Sequence, residues 1–367
     1  MILYRIILII LYIAYKNIHT DIDRLKSNYI FIFIVDIRRI QITGGSSFMV
    51  TLPKDWADSV GLKKNDSVSL QPQPDGSIII YPQGTQKSAE RTVKTIDVDL
   101  INDRQYLYRL LVGSYIAGHS AIELKSSGQI SSLVAGVASA FTQTAIGLEI
   151  MDESENRILI KDLVDQSEMR PSKSLERMRV LIKNLLSDVM NDAEARKKNI
   201  YEGLVEKDKE IDRIDWLISR QVNIFQKEVS LARKIGSNLS EITRSSMASR
   251  ALERIGDHTL LIARNLDVLM VEPGTSDIII EIISIGKEAN DHVSSAVINL
   301  QNKDMVLANR CINDSELLVK RTEALSIDSA KLDQNANVAA SMISGSLRRI
   351  AEYAMDLSEL AINSAVF

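Results

Sequence analysis

The 367 residues, 45% hydrophobic and 25% charged, exceed what one core usually holds and imply a globular chain of two or three domains. With 44 basic residues against 48 acidic, the net charge near −4 excludes nucleic-acid binding by overall charge and leaves only a local basic surface for it. The single cysteine, Cys311, allows no internal disulfide, and no Cys/His cluster has the spacing of a zinc or iron–sulfur site; a reducing cytoplasm fits this usage.

Residues 1–35 are an apolar extension. The runs MILYRIILIILYIAY and, after a polar gap, IFIFIV are each shorter than the roughly 20 apolar residues of a membrane helix. The segment KNIHTDIDRLKSNY offers no small-residue cleavage site. Two readings stay open: a weak membrane anchor, or a gene start placed too early, with Val35 as the initiation codon.

Residues 36–82 change character. Short β-rich runs (RIQIT, FMVTL, SVSL, SIIIY) alternate with Gly-Gly, Pro-Lys-Asp, Lys-Asn-Asp and Pro-Asp-Gly punctuation, which predicts strand, short helix and β-hairpin. So small a unit has too few large apolar side chains to close a core alone, and pairing with a second copy is expected. Arg38, Gly45, Ser46, Leu52, Pro53, Lys54, Trp56, Gly61, Leu62, Lys64 and Asp66 follow the pattern of a basic opening strand, a Gly/Ser turn, LPK with a following Trp, GL and K-[GN]-D. The segment thereby resembles the AbrB/SpoVT swapped-hairpin DNA-binding domain. The resemblance implies a dimeric β-barrel with Arg38, Arg39, Ser46, Ser47, Lys54, Lys63 and Lys64 at the DNA. The residues themselves are balanced: Asp36, Asp55, Asp58, Asp66 and Asp75 offset the bases, so phosphate affinity requires uneven placement. A fold that only dimerises is the alternative.

Residues 83–91 read as a linker. Residues 92–165 alternate strand-like runs (TVKTIDVDL, AIELKSS, LEIMDE, RILIKDL) with two helical stretches, which describes a small α/β layer without a phosphate-loop glycine signature. His119, alone at a helix end, is assigned no chemistry.

From residue 172 the strand signals vanish and helices are expected at 172–195, 199–233, 239–270, 276–301, 303–327 and 335–364. Leu252, Ile255, Thr259, Ile262, Leu266 and Leu269 keep the stripe of a bundle helix. LERIGDHTLLIA (252–263) aligns with LRRIAEYAMDLS (347–358), which predicts two copies of a three-helix unit, at 172–270 and 276–364.

This tandem, with R-x-L-E-R-I-G-D-H on its third helix, resembles the PhoU family of phosphate-uptake regulators, here in the archaeal-type arrangement with an N-terminal AbrB-like domain. The resemblance implies a phosphate-responsive, dimeric, DNA-binding regulator of phosphate uptake. It also implies that E/D-x-x-x-D motifs gather iron or another divalent or ferric metal ion. The matching positions are Asp208 and Asp212 on one helix and Glu253 and Asp257 on the next; residues four apart share a face. The alternative for these residues is ion pairing at i, i+3 (Arg250 with Glu253, Arg254 with Asp257, Lys209 with Asp212). In the second repeat Arg348 replaces Glu253 and Glu352 replaces Asp257, so an ion pair is expected there. His258, opposite Tyr353 in the alignment, reads as a bundle-facing ring.

No nucleophile–base pair, phosphate cradle or activated cysteine supports an enzyme. ERIGDH places His five residues after Glu, not the three that a di-iron carboxylate bundle requires. The expected fold is a multidomain α+β chain: swapped-hairpin β-barrel domain, α/β layer, and an all-α PhoU-like bundle of two three-helix repeats. The rival function is an adaptor that docks on a phosphate transporter or sensor kinase, with the N-terminal domain serving dimerisation.

Overall fold

The computed structural model describes residues 37–45, 47–72, 76–82, 92–164, 170–227, 231 and 235–366. The apolar extension, Ser46 and the linker lie outside the described residues. The chain divides into two compact units, Met1–Lys87 and Ser88–Phe367.

In the first unit β1 (Gln41–Thr43) pairs antiparallel with β2 (Ser47–Met49), and β3 (Val68–Pro72) with β4 (Ile78–Pro82), as two separate two-stranded sheets. Between them stands one short helix, α1 (Lys54–Ser59). Gly61, at φ 72°, follows it in the left-handed conformation that a side chain would strain. None of the described residues of this unit is buried. Phe48 is 77% exposed and Ile42 69%, so the hairpins present apolar surface instead of enclosing it.

The second unit opens with a four-stranded sheet in the order β5-β6-β8-β7: β5 (Val93–Asp97), β6 (Ala121–Lys125), β7 (Leu148–Ser154) and β8 (Arg157–Asp162). β5 and β6 are parallel and the other pairs antiparallel. Parallel strands need a crossover, here α2 (Arg104–Ile116), while α3 (Ser132–Thr144) precedes β7. Alternation sets the buried face: Ile122 opposes Ile160 and Leu124 opposes Ile158, and all four pack with Leu107, Leu111 and Phe141 of the helices. Each helix has a side-chain cap, Asp103 for α2 and Ser131 for α3.

Six helices follow: α4 (Pro171–Glu194), α5 (Val205–Lys227), α6 (Leu239–Leu269), α7 (Ser276–Asn302), α8 (Met305–Ser329) and α9 (Gln334–Val366). The stripe Leu252, Ile255, Thr259, Ile262, Leu266 and Leu269 is fully buried along α6. The two repeats mesh, α4 packing on α7 and α6 on α9. At one approach of α4 to α7 a side chain at Gly286 would collide with Met190.

One helix departs from expectation. α5 begins at Val205 rather than 199, because Arg196 and Asn199 take left-handed φ of 54° and 60° and break the helical path. Residues 201–204 form turns instead. The N–H groups of Ile200 and Tyr201 donate to the Asp267 carboxylate at 2.9 and 3.1 Å, so the non-helical backbone is satisfied from α6. Ile200 and Leu204 are buried within the bundle core.

Candidate functional site

α5 and α6 pack against each other. α5 carries Asp208, Asp212 and Asp215 at i, i+4 and i+7, and α6 carries Glu253 and Asp257 at i and i+4; these spacings place each set on one face. The faces meet. Gly256, between the two α6 acids, lets α5 come close: a Cβ there would lie 2.8 Å from Asp208 Oδ1.

Burial dominates the electrostatics of this seam. It pushes the Asp208 carboxyl up to about 6, with the nearby charges of Asp257 and Glu253 adding to the effect. Asp212 is pushed up to about 7 by burial, then by Asp208, Asp257 and Asp215, against an opposing Arg250. Glu253 rises to about 7 by burial, with Arg250 opposing and Asp257, Asp215 and Asp212 reinforcing. The four sequence-predicted acids are thus close enough to feel one another's charge.

Asp215, which the motif reading passed over, is the most buried of the acids near Glu253, at 3% exposure. It accepts a hydrogen bond from Ser249 Oγ at 2.9 Å and faces Arg250 Nη1 at 3.4 Å. Burial raises its pKa, while Ser249 and Arg250 act against this. Its signal was present as DRID, which continues the Asp208, Asp212 face by another turn.

The ion-pair alternative is met in part. Arg250 lies 3.2 Å from Glu253 Oε1, but Lys209 reaches Glu206 at 2.6 Å and not Asp212, because Glu206 is the exposed partner that costs no desolvation. Arg250 itself remains 55% exposed, a weak neutraliser. Two buried oxygens, Asp208 Oδ1 and Glu253 Oε2, have no hydrogen-bond partner. In the second repeat the charges do cancel: Arg348 Nε and Arg349 Nη1 donate to Glu352 at 2.8 and 2.9 Å. His258 stacks tilted toward Tyr353, centroids 6.1 Å apart, as a ring between α6 and α9.

An all-oxygen donor set with two orphaned buried oxygens suits a hard cation such as a divalent or ferric ion. The oxygens do not close into one coordinating set: among the described residues no group of three or more His, Cys, Asp or Glu side chains is placed to hold an ion.

In the N-terminal unit Arg38, Arg39, Lys54, Lys63 and Lys64 are all exposed. So are Asp55, Asp58 and Asp66, and Asp66 Oδ2 accepts the Lys63 backbone N–H at 2.7 Å. Ser47 is an exposed residue of β2.

Residues 175–266, which hold both acid pairs, match the family model of the PhoU domain. Residues 41–88 match the model described as antidote-toxin recognition MazE, bacterial antitoxin, so the two matches stand in tandem along the chain. No curated protein matches the chain. Among solved structures, the chain is similar to the phosphate transport system regulatory protein PhoU from Streptococcus pneumoniae, at 18% identity and TM-score 0.43, over 52% of this chain and 91% of that one. It is also similar to PhoU from Pseudomonas aeruginosa, at 19% identity and TM-score 0.44, over 52% of this chain and 93% of that one. Among the described residues no helix is long and apolar enough to cross a membrane.

Proposed function

We propose that this chain is a phosphate-responsive regulator of phosphate uptake, a cytoplasmic dimer that binds DNA through its N-terminal module and senses through its PhoU domain. The observation that carries the reading is the joining of a MazE-like module at 41–88 to a PhoU domain at 175–266. The exposed Arg38, Arg39, Lys54, Lys63 and Lys64 supply the phosphate-contacting charge, and apolar exposure on both hairpins supplies the reason to dimerise. The reading has no catalytic step.

It includes a divalent or ferric ion between α5 and α6. Asp208, Asp212, Glu253 and Asp257 would hold it only after their side chains turn toward one point, since in the structure they form no coordinating group, with Asp215 fixed beside them by Ser249. When bound, the ion supplies the positive charge that this carboxylate seam lacks, from exposed Asp257 to buried Asp208. What supports this is the pair of orphaned buried oxygens and the raised carboxyls of Asp208, Asp212 and Glu253.

A second reading, the adaptor that docks on a phosphate transporter or sensor kinase, draws on Asp55, Asp58 and Asp66, which are as exposed as the bases. Titration of a promoter library at several salt concentrations separates the two. A regulator shows sequence-specific affinity whose logarithm falls steeply with salt, by about 0.9 per phosphate contacted. Arg38→Ala with Arg39→Ala abolishes that affinity while sedimentation still reports a dimer; unchanged affinity in the double variant removes the DNA reading.

A further inference from the structure

At the end of the bundle where α4 and α6 begin lies a cleft of about 560 Å³, within the range of roughly 300–1,000 Å³ that holds small organic ligands. The first turns of α4 and α6 border it, with the left-handed cap of α7 at Lys303 and the last turn of α9. Along α6, Arg244 is nine residues before Glu253, about 13 Å at 1.5 Å per residue, so this cleft and the acid seam are separate.

Its charges do not balance within the fold. Lys173, Arg244 and Lys303 line the cleft, Arg244 half-buried in its wall and the two lysines exposed at its rim. Among the described residues none of the three has an ion-pair partner; Arg244 makes only a hydrogen bond from Nη1 to Ser240 Oγ, at 2.6 Å. Two acids also line it, but Glu176 is already held through both oxygens by Arg179, at 2.9 and 2.5 Å, which leaves Glu241 alone against three cations. A half-buried guanidinium without a carboxylate is a group that a ligand anion completes. Donors of other kinds are present, the hydroxyl of Ser172 among them, while Leu175 and Leu300 give the cleft an apolar wall.

We infer that this cleft binds a phosphate-bearing small molecule of about nucleotide size. Three cations call for more than one negative charge, and a guanidinium with flanking ammonium groups matches the oxygens of a phosphate ester. The volume exceeds what an inorganic phosphate fills, and the apolar wall accommodates the organic part of an ester. The inference is independent of what the N-terminal module binds and of any ion at the acid seam.

The test is isothermal titration of the full chain with ATP, AMP, inorganic phosphate and citrate, with EDTA present so that no cation at the acid seam can hold phosphate. ATP or AMP is expected to bind, more tightly than inorganic phosphate or citrate. Arg244→Gln with Lys173→Gln is expected to weaken it by about tenfold or more, the loss of one charge-assisted contact or better. Lys303→Asn is a second variant whose folding is secure, since Asn tolerates the left-handed φ of 55° there. The control Lys331→Gln, which removes an exposed lysine paired with Asp328, leaves affinity unchanged. No binding of ATP or AMP at about 1 mM overturns the inference. So do affinities untouched by both cleft variants, or citrate or inorganic phosphate binding as tightly as the nucleotides.

Discussion

The carboxylates of Asp208, Asp212 and Glu253 sit at about 6, 7 and 7, well above the ordinary range near 4. The folded chain therefore holds more protons than the unfolded one between about pH 4 and 7. Their contribution to stability is fully present below the unfolded values and is lost as pH rises through the folded values. In the presence of EDTA, thermal stability is expected to fall from pH 5 to pH 8, and Asp212→Asn with Glu253→Gln to flatten that slope. A hard cation reverses the trend by stabilising the ionised form; metal analysis of the wild type, and its loss in the double variant, checks this directly. A slope identical in variant and wild type would place the titration elsewhere. Gly256→Ala tests the same seam sterically. Alanine favours a helix over glycine by about 1 kcal/mol, but its Cβ would lie 2.8 Å from a short, buried carboxylate, and overpacking costs about 1–3 kcal/mol. The expected net result is a small loss of stability measured by urea denaturation, together with loss of metal, since Asp208 is the group displaced.

At the scale of the element, α5 has two roles on two faces. Its opening turns bring acids to α6, while Asn223 and Lys227 donate to the carbonyls of Ile116 and Ala117 at the end of α2, and Arg220 donates to those of Tyr115 and His119. Asn223 Nδ2 reaches Ile116 O at 2.9 Å and Lys227 Nζ reaches Ala117 O at 2.8 Å. Arg220, 1% exposed, meets Asp162 Oδ2 at 2.6 Å and lies 4.7 Å from the centre of the Tyr115 ring. Arg220→Met is expected to cost about 3–5 kcal/mol, because Asp162 stays buried without its guanidinium, and Asp162→Leu in the same chain to restore much of it. Denaturant unfolding of the single and double variants measures both. This junction was not legible in the sequence: its partners are 58 residues apart, and neither shows periodicity. The α6 stripe was legible because six apolar or small positions repeat at helical spacing and nothing opposes them. The start of α5 was not, because IYEGLV is as apolar as a helix and only Asp267, 67 residues on, makes its turned backbone affordable. The acid seam was half legible: the i, i+4 pairs stand in the chain, but Asp215 and the closeness permitted by Gly256 depend on which faces meet.

The whole molecule consists of one unit with a closed core and one without. The α/β layer and the helical bundle bury Phe141, Phe225 and Leu252 completely, whereas no described residue of the first unit is buried. Burying apolar surface yields about 25 cal/mol per Å², so hairpins exposing Ile40, Ile42, Phe48 and Ile78 gain their stability only by pairing with a second set. A fold maintained by association has a melting temperature that rises with protein concentration, and one with its own core does not. The full chain is therefore expected to be a dimer in sedimentation at micromolar concentration. It is expected to unfold in two steps, a concentration-dependent transition of the small β-rich unit and a concentration-independent loss of helix. Ile42→Asp with Phe48→Asp puts two charges on the surface to be shared; it is expected to give a monomer that lacks the first transition and keeps the helical signal and second transition of the wild type. A wild type that sediments as a monomer, or a double variant that remains dimeric, would show that this surface is not where copies meet. In the dimer, two copies of the segment that precedes β1 contribute Arg38 and Arg39 together. The monomeric variant is accordingly expected to lose DNA affinity as completely as the double arginine variant, although both arginines are still in its sequence.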